Sequence, residues 1–395
     1  MTTDPADKNV VEAEGQTLST TFNPRGHMSF VDLATVQQQV KVGTPLPFDV
    51  WDADKTLLLA HGQTIETALQ LANLLKRGAL IGLTDAVPSV AAIKNATPEQ
   101  LPALLRTTMD LARETLLKAP AEAYEEIVDA VSRPLMAVVE ADPDLAIFQV
   151  LRQEGNYMTQ YGVTHSIHCA FAVFLVAARF GWSETDVRRA FNAALTMNVS
   201  MLELQGQLAT QSSPLSNEQR QQIESHPQRS SALLEAAGIK DAVWLQAVRE
   251  HHLSDAGDGG AVSELAGLLR SSDTYIAKLS PRRTREALSA DVAARMMFAT
   301  NRGDAATAAM VKEFGLYPPG CHVKLACGES GYVVRRGELA HIPWVAVTNS
   351  ADGRALAEPI RRNTAQPVFK VSEVLRNGNG KLRFSPEVLQ RIAWA

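Results

Sequence analysis

The sequence predicts a mainly α protein, with a helical bundle between a small N-terminal α+β module and a small C-terminal β-rich appendage. Three observations predict it. Apolar residues recur at intervals of three and four through most of the middle of the chain, the pattern of helices with a buried face. Short apolar runs separated by Asp- and Gly-rich turns precede that region. Apolar and polar residues alternate between Gly and Asn turns after it, as strands do.

Residues 1–27 lack periodicity and carry Thr, Asp, Glu and Gly, so a disordered lead is expected. Residues 28–95 form the α+β module. Within them, VKVGTPLPFDVWDADKTLLLAHGQTI reads as two or three strands joined by tight turns, and ETALQLANLLKRG as a helix ending on Gly78. Residues 96–152 suit helix almost throughout and are expected to form a helical connector, either a hairpin or a stalk.

Residues 153–312 make up the bundle. In HSIHCAFAVFLVAARFG, the positions Ile167, Ala170, Phe171, Phe174, Leu175 and Ala178 mark a buried face, and Gly181 closes the helix. PLSNEQRQQIESHP opens with a capping box, Ser216 followed by Gln219, and Pro227 is expected to break or restart that helix. DAVWLQAVREHH and AVSELAGLLRSSDTYIAKL supply further amphipathic helices. Residues 313–395 are the β-rich appendage, with strands from about 316 to 372 in CHVKLACGESGYVVRR and IPWVAVTNSADG.

The composition, 46% hydrophobic and 21% charged over 395 residues, is that of a globular protein of two or three domains. A formal net charge of -5 argues against bulk nucleic-acid or anionic-membrane binding and leaves room for a local basic pocket. No apolar run is read as approaching the roughly 20 residues of a membrane span, and MTTDPADKNVVEAEG is unlike a signal peptide. A cytoplasmic protein is expected. Cys169, Cys321 and Cys327 form no CxxC pair and are read as free thiols.

His165, His226, His251, His252 and Asp273 all fall in the helical region. Imidazoles and carboxylates hold Zn, Fe or Mn, and the helices of a bundle can aim several of them into one cleft. His168, His322 and His341 are read as structural bystanders. GDGG has no following helix in phosphate-loop spacing, so it is read as a plain loop.

The order of these residues resembles the HD-GYP family, HD-superfamily metallohydrolases that open cyclic di-GMP. The resemblance runs over about residues 38 to 375 and includes VGTPLPFDVWDADKTLLLAHGQTI, LKRG and GLYPPGCHVKLACGESGYVV. It implies an HD-type helical bundle. The family's first metal-binding His falls on His165, and the carboxylate that many members carry one turn earlier falls on Tyr161. The His and Asp that name the superfamily fall on Met197 and Asn198, and the Gly and Lys of HDIGK fall on Ser200 and Met201. His226, His251, His252 and Asp273 match the remaining ligands. LSDAGDGG stands where the GYP loop is expected. SPRRTREAL meets an RPYR-like segment, so Arg282, Arg283 and Arg285 are implied near a ligand's phosphates.

In such a site the aspartate bridges two metals. Asn198 is neutral and Met197 offers only a thioether, so no such bridge is expected here. Met197 and Met201, one turn apart, are read as apolar filling for the cleft. The implied function is a degenerate, catalytically inactive regulator or sensor in cyclic di-GMP signalling. It would bind a nucleotide or a partner such as a diguanylate cyclase, with a homodimer left open. Two alternatives stand beside it. One is an active phosphodiesterase with a single divalent Fe, Mn or Zn ion on His226, His251 and His252. The other is an interaction scaffold like the HDOD domains.

Overall fold

The structure, a computed structural model, describes residues 30–82, 87–118, 120, 122–152, 160–253, 262–300, 304–375 and 383–394. The expected disordered lead at 1–27 and nearly all of the LSDAGDGG loop lie outside these residues. The described chain is mostly helical, with two small antiparallel sheets.

The N-terminal sheet has the order β1-β4-β2-β3, from β1 (Phe30–Asp32), β2 (Val50–Trp51), β3 (Leu57–Leu59) and β4 (Leu80–Gly82). Helix α1 (Ala68–Lys76) precedes β4, its first turn capped where the Thr67 hydroxyl accepts from the Gln70 N–H. The strands in the Val50–Leu59 segment follow the sequence reading, whereas β1 and β4 add to it. Val31 pairs with Ile81, which also pairs with Val50, and all three are buried.

A short helix, α2 (Val90–Lys94), and a long one, α3 (Leu101–Leu117), follow. Glu114 on α3 accepts from the Asp32 N–H at 3.0 Å and from the Thr35 hydroxyl at 2.5 Å. Lys118 donates to the Phe30 carbonyl at 2.7 Å, so the module is fastened to α3 by both ends of β1. Helices α4 (Tyr124–Ala141) and α5 (Pro143–Leu151) continue the chain. Residues 96–152 do not stand off as a stalk. Leu105, Met109, Val128, Leu135, Ile147 and their neighbours share one apolar core with the bundle, because α3 and α4 each carry a continuous buried face.

The centre of that core is α6 (Tyr161–Arg179), in which all but three residues are buried. It packs against α3, α5, α7 (Glu184–Thr196), α8 (Leu202–Thr210), α11 (Glu264–Leu279) and α13 (Ala305–Phe314). Its mean hydropathy of 1.5 over 18 residues makes it long and apolar enough to cross a membrane, contrary to the reading that no run approaches that length. Its burial inside the bundle accounts for that apolarity instead. Ile167, Phe171 and Val176 are each fully buried, at about 1.5–3 kcal/mol per large side chain. Gly181, at φ +70°, ends the helix as its position implies.

Gly162 has a sharper reason. A Cβ placed there would lie 2.2 Å from the Leu202 carbonyl oxygen, so only glycine lets the first turn of α6 touch the start of α8. Helix α9 (Asn217–Ala236) carries the expected capping box, and α10 (Ala242–Glu250) and α12 (Ala290–Thr300) complete the bundle. Pro227 does not break α9, which runs on through it.

The C-terminal sheet has the order β8-β7-β6-β5-β9, built from β5 (His322–Leu325), β6 (Ser330–Arg335), β7 (Trp344–Asn349), β8 (Ala355–Asn363) and β9 (Val371–Val374). A final helix, α14 (Pro386–Trp394), packs Leu389 and Ala393 on it and is absent from the sequence reading. Arg336 joins this unit to the bundle through Asp144 and Glu313, and Arg152 donates to the Gly320 carbonyl at 2.5 Å.

Candidate metal centre

Four helices and one turn bring the candidate residues together. Helix α6 brings His165, α9 brings His226, the end of α10 brings His251 and His252, and α11 brings Asp273. Met197 and Asn198 follow α7, and a 3₁₀ turn, Val199–Met201, leads into α8. Met197 and Met201 therefore sit across a helix end rather than along one helix. Met197 is fully buried in the main apolar core.

Hydrogen bonds fix this turn. The Trp244 indole N–H donates to the Thr196 hydroxyl at 3.0 Å, tying α10 to the residue before Met197. The Ser200 N–H donates to the Ser230 hydroxyl at 3.2 Å, and the Ser200 hydroxyl donates to the His226 carbonyl at 3.1 Å. The turn is thus pinned to α9 at the histidine itself. Asn198 is completely buried, and neither its amide nitrogen nor its amide oxygen has a hydrogen-bond partner.

The three histidines form a tight group. Ring centroids are 5.0 Å apart for His226 with either His251 or His252, and 4.2 Å for His251 with His252. A coordinating atom from each lies within 4.8 Å of the others, with His226 and His251 buried and His252 exposed.

Pro227 explains the orientation of His226. Proline has no N–H, so the Ile223 carbonyl four residues back loses its helical donor. The His226 Nδ1 donates to that carbonyl at 2.6 Å. His251 does the same at the end of α10, its Nδ1 donating to the Val248 carbonyl at 2.6 Å. A carbonyl only accepts, so both rings carry their proton on Nδ1 and keep a lone pair on Nε2. Those two Nε2 atoms face each other at 3.1 Å.

Two lone pairs at that distance repel unless a cation lies between them. Burial disfavours supplying a proton, lowering the His226 imidazole to about 4 and the His251 imidazole to about 3, and the nearby His252 acts in the same direction. A metal ion would satisfy the pair, and His226, His251 and His252 could hold it together, a donor set that suits zinc. When bound, such an ion supplies Lewis acidity and lowers the pKa of a coordinated water toward about 7.

A second group lies beside the first. The His165 Nε2 donates to Asp273 Oδ1 at 2.8 Å, and the Cys169 sulfur is 3.5 Å from the same nitrogen. Burial works against charge on Asp273, but the hydrogen bond from His165 and the electrostatic pull of that same ring, with smaller contributions from the neighbouring imidazoles, keep its carboxyl well below the usual range. Tyr161 stacks on the His165 ring, with centroids 5.4 Å apart and planes at 10°. The sequence reading missed Cys169, although its position one helical turn after His165 was visible.

The arginines do not converge. Arg282 and Arg285 exchange backbone hydrogen bonds of 2.8 and 3.0 Å, which fold SPRRTREAL into a tight turn. Arg282 lies over the Tyr161 ring at 5.1 Å and donates to its hydroxyl at 3.0 Å, which ties it to His165. Arg283 is exposed. Arg285 donates to the Ala277 carbonyl and lines a separate cavity of about 360 Å³ against the C-terminal sheet.

His168 also faces elsewhere. It is fully buried, neither ring nitrogen has a partner, and it lines a cavity of about 220 Å³ with residues of α3, α5 and α14. His322 stacks on Tyr332, with centroids 4.7 Å apart, in the C-terminal sheet.

No family model and no curated protein matches the chain. Among solved structures, the HDG"Y"P protein Bd1817 from Bdellovibrio bacteriovorus aligns over 72% of this chain and 97% of its own, at 14% identity and a TM-score of 0.46. At that level of similarity, the functional reading stays with the side chains themselves.

Proposed function

We propose that the protein is a metal-loaded binding module for a phosphodiester nucleotide, with cyclic di-GMP the favoured ligand, acting as a regulator or sensor rather than as a hydrolase. The observation that carries this reading is Asn198. The resemblance puts a metal-bridging carboxylate at that position, and here it is a buried, unpartnered carboxamide beside three converging histidines. An amide cannot supply the negative charge that holds a hydroxide between two cations. The three-histidine ion would then serve as an anchor for phosphate oxygens, helped by Arg282, whose guanidinium Tyr161 holds next to His165. A signalling partner such as a diguanylate cyclase would read the occupied state.

The test is calorimetry with cyclic di-GMP on zinc-loaded and chelator-treated protein, paired with chromatography for linear product. The expected result is metal-dependent binding with the nucleotide recovered intact. No heat up to high micromolar ligand would sink the reading. The double variant Met197→His, Asn198→Asp should gain turnover that the unmodified protein lacks.

One observation favours a second reading, hydrolysis at a single metal. His252 is exposed, so an ion held by the three histidines would keep a position open to water. Product formed by the unmodified protein, and lost in His251→Ala, would select it.

A further inference from the structure

We propose that His165, Cys169 and Asp273 form a second metal site in which the Cys169 thiolate selects a thiophilic divalent ion, zinc or cobalt rather than manganese or magnesium. The resemblance offers no thiolate at this place. In it His165 and Asp273 match metal ligands and a further His and Asp fall at positions 197 and 198, where this chain has Met197, packed in the apolar core, and Asn198. Another donor has to complete any such site.

The geometry supplies one. His165 and Cys169 are four residues apart on α6 and so lie on one face, and α11 brings Asp273 against that face. In a tetrahedral site with metal–nitrogen bonds of about 2.0 Å and a metal–sulfur bond of about 2.3 Å, the nitrogen-to-sulfur edge is about 3.5 Å. The Cys169 sulfur stands 3.5 Å from the His165 Nε2. The Asp273 oxygen is 2.8 Å from that nitrogen, closer than the tetrahedral edge of about 3.3 Å, so it need only move back by about half an ångström. The three donor atoms lie within 4.8 Å of one another, His165 and Cys169 are buried, and the Asp273 side chain is 20% exposed. Three protein ligands would leave a fourth position for water.

The protons balance. In the metal-free pair, the His165 Nε2 proton is shared with Asp273. On binding it moves to Nδ1, the metal takes the Nε2 lone pair, and the thiol proton leaves to solvent. One proton is released per ion. Sulfur is a soft ligand, so the site departs from one built on carboxylate and imidazole alone.

The proposal stands independently of nucleotide binding and of the three-histidine ion. Metal-free, full-length protein is titrated with cobalt(II) and followed by absorption. The expected result is a near-ultraviolet thiolate-to-cobalt charge-transfer band that saturates with one equivalent, on top of the visible bands of a second, nitrogen-bound cobalt. Cys169→Ser should lose the charge-transfer band, keep the visible bands of the three-histidine ion, and bind one zinc fewer by elemental analysis. His251→Ala should do the reverse. If Cys169→Ser does not fold, the Cys321→Ala, Cys327→Ala variant leaves Cys169 as its sole thiol and should keep the band in full. A missing band in that variant or in the unmodified protein, or its persistence in folded Cys169→Ser, overturns the proposal. Failure of the cyclic di-GMP titration leaves the cobalt spectrum unchanged.

Discussion

Pro227 shows how one missing N–H can aim a metal ligand. Its absence frees the Ile223 carbonyl, and His226 turns its Nδ1 to that oxygen at 2.6 Å. Pro227→Ala returns the carbonyl to the helix ladder and takes the anchor from the ring. Zinc affinity at the three-histidine cluster should then fall by about 10–100-fold, the usual cost of losing a ligand's orienting partner. Competition with a chromophoric chelator measures it, and an unchanged affinity would remove the anchor from the account. Buried histidines also set a pH dependence. Burial lowers His168 to about 3, His226 to about 4 and His251 to about 3, against about 6.5 in an unfolded chain. Above pH 6.5 neither state holds the proton. Below it the unfolded chain takes up protons that the folded chain refuses, so stability falls with pH down to the folded values, by about 1.4 kcal/mol per pH unit for each histidine. The urea midpoint of metal-free protein should decline from pH 7 to pH 5. His168→Leu, whose ring lines the cavity shared with α3, α5 and α14, should reduce the slope by one proton.

At the scale of elements, the contact between α6 and α8 depends on Gly162. Gly162→Ala drives a methyl into the Leu202 carbonyl and should cost about 1–3 kcal/mol, the range for overpacking a tight core, read as a lower urea midpoint. Local spacing made much of this level legible. The buried face of α6, its close at Gly181 and the capping box of α9 follow from residues a few positions apart. Strands β1 and β4 could not be read in this way, because each is three residues long and exists through pairing with the other across some fifty residues of chain. The Arg282–Arg285 turn was not legible for a related reason. What closes it is a reciprocal pair of backbone hydrogen bonds, together with the Arg283 N–H donating to the Ala209 carbonyl, none of which a charge pattern discloses. Pro227 misled through a rule that holds on average. A helix accommodates proline where a side chain satisfies the freed carbonyl, and here that side chain is a candidate ligand.

Across the whole molecule, both small sheets are joined to the bundle by apolar packing, with a few charged side chains fastening the seams. Arg336 is the clearest on the C-terminal side, bonding Asp144 through its backbone and side chain and reaching the Glu313 carbonyl. Arg336→Ala should loosen the C-terminal unit by up to about 2 kcal/mol, the scale of hydrogen bonds to charged groups, and limited proteolysis should cut there first. The histidine candidates were legible because the order of residues along the chain resembles a known family. Cys169 was not, since that resemblance places no ligand there and only the approach of α11 brings Asp273 alongside it. The facing Nε2 atoms of His226 and His251 have a further consequence. Without an ion, the junction of α9 and α10 holds a frustrated contact, with two lone pairs kept at 3.1 Å by anchors on their far sides. A cation turns that repulsion into a crosslink between two helices. Amide hydrogens around Ile223 and Val248 should therefore exchange more slowly once zinc is added, so that the tightness of this corner of the bundle reports whether the protein is loaded.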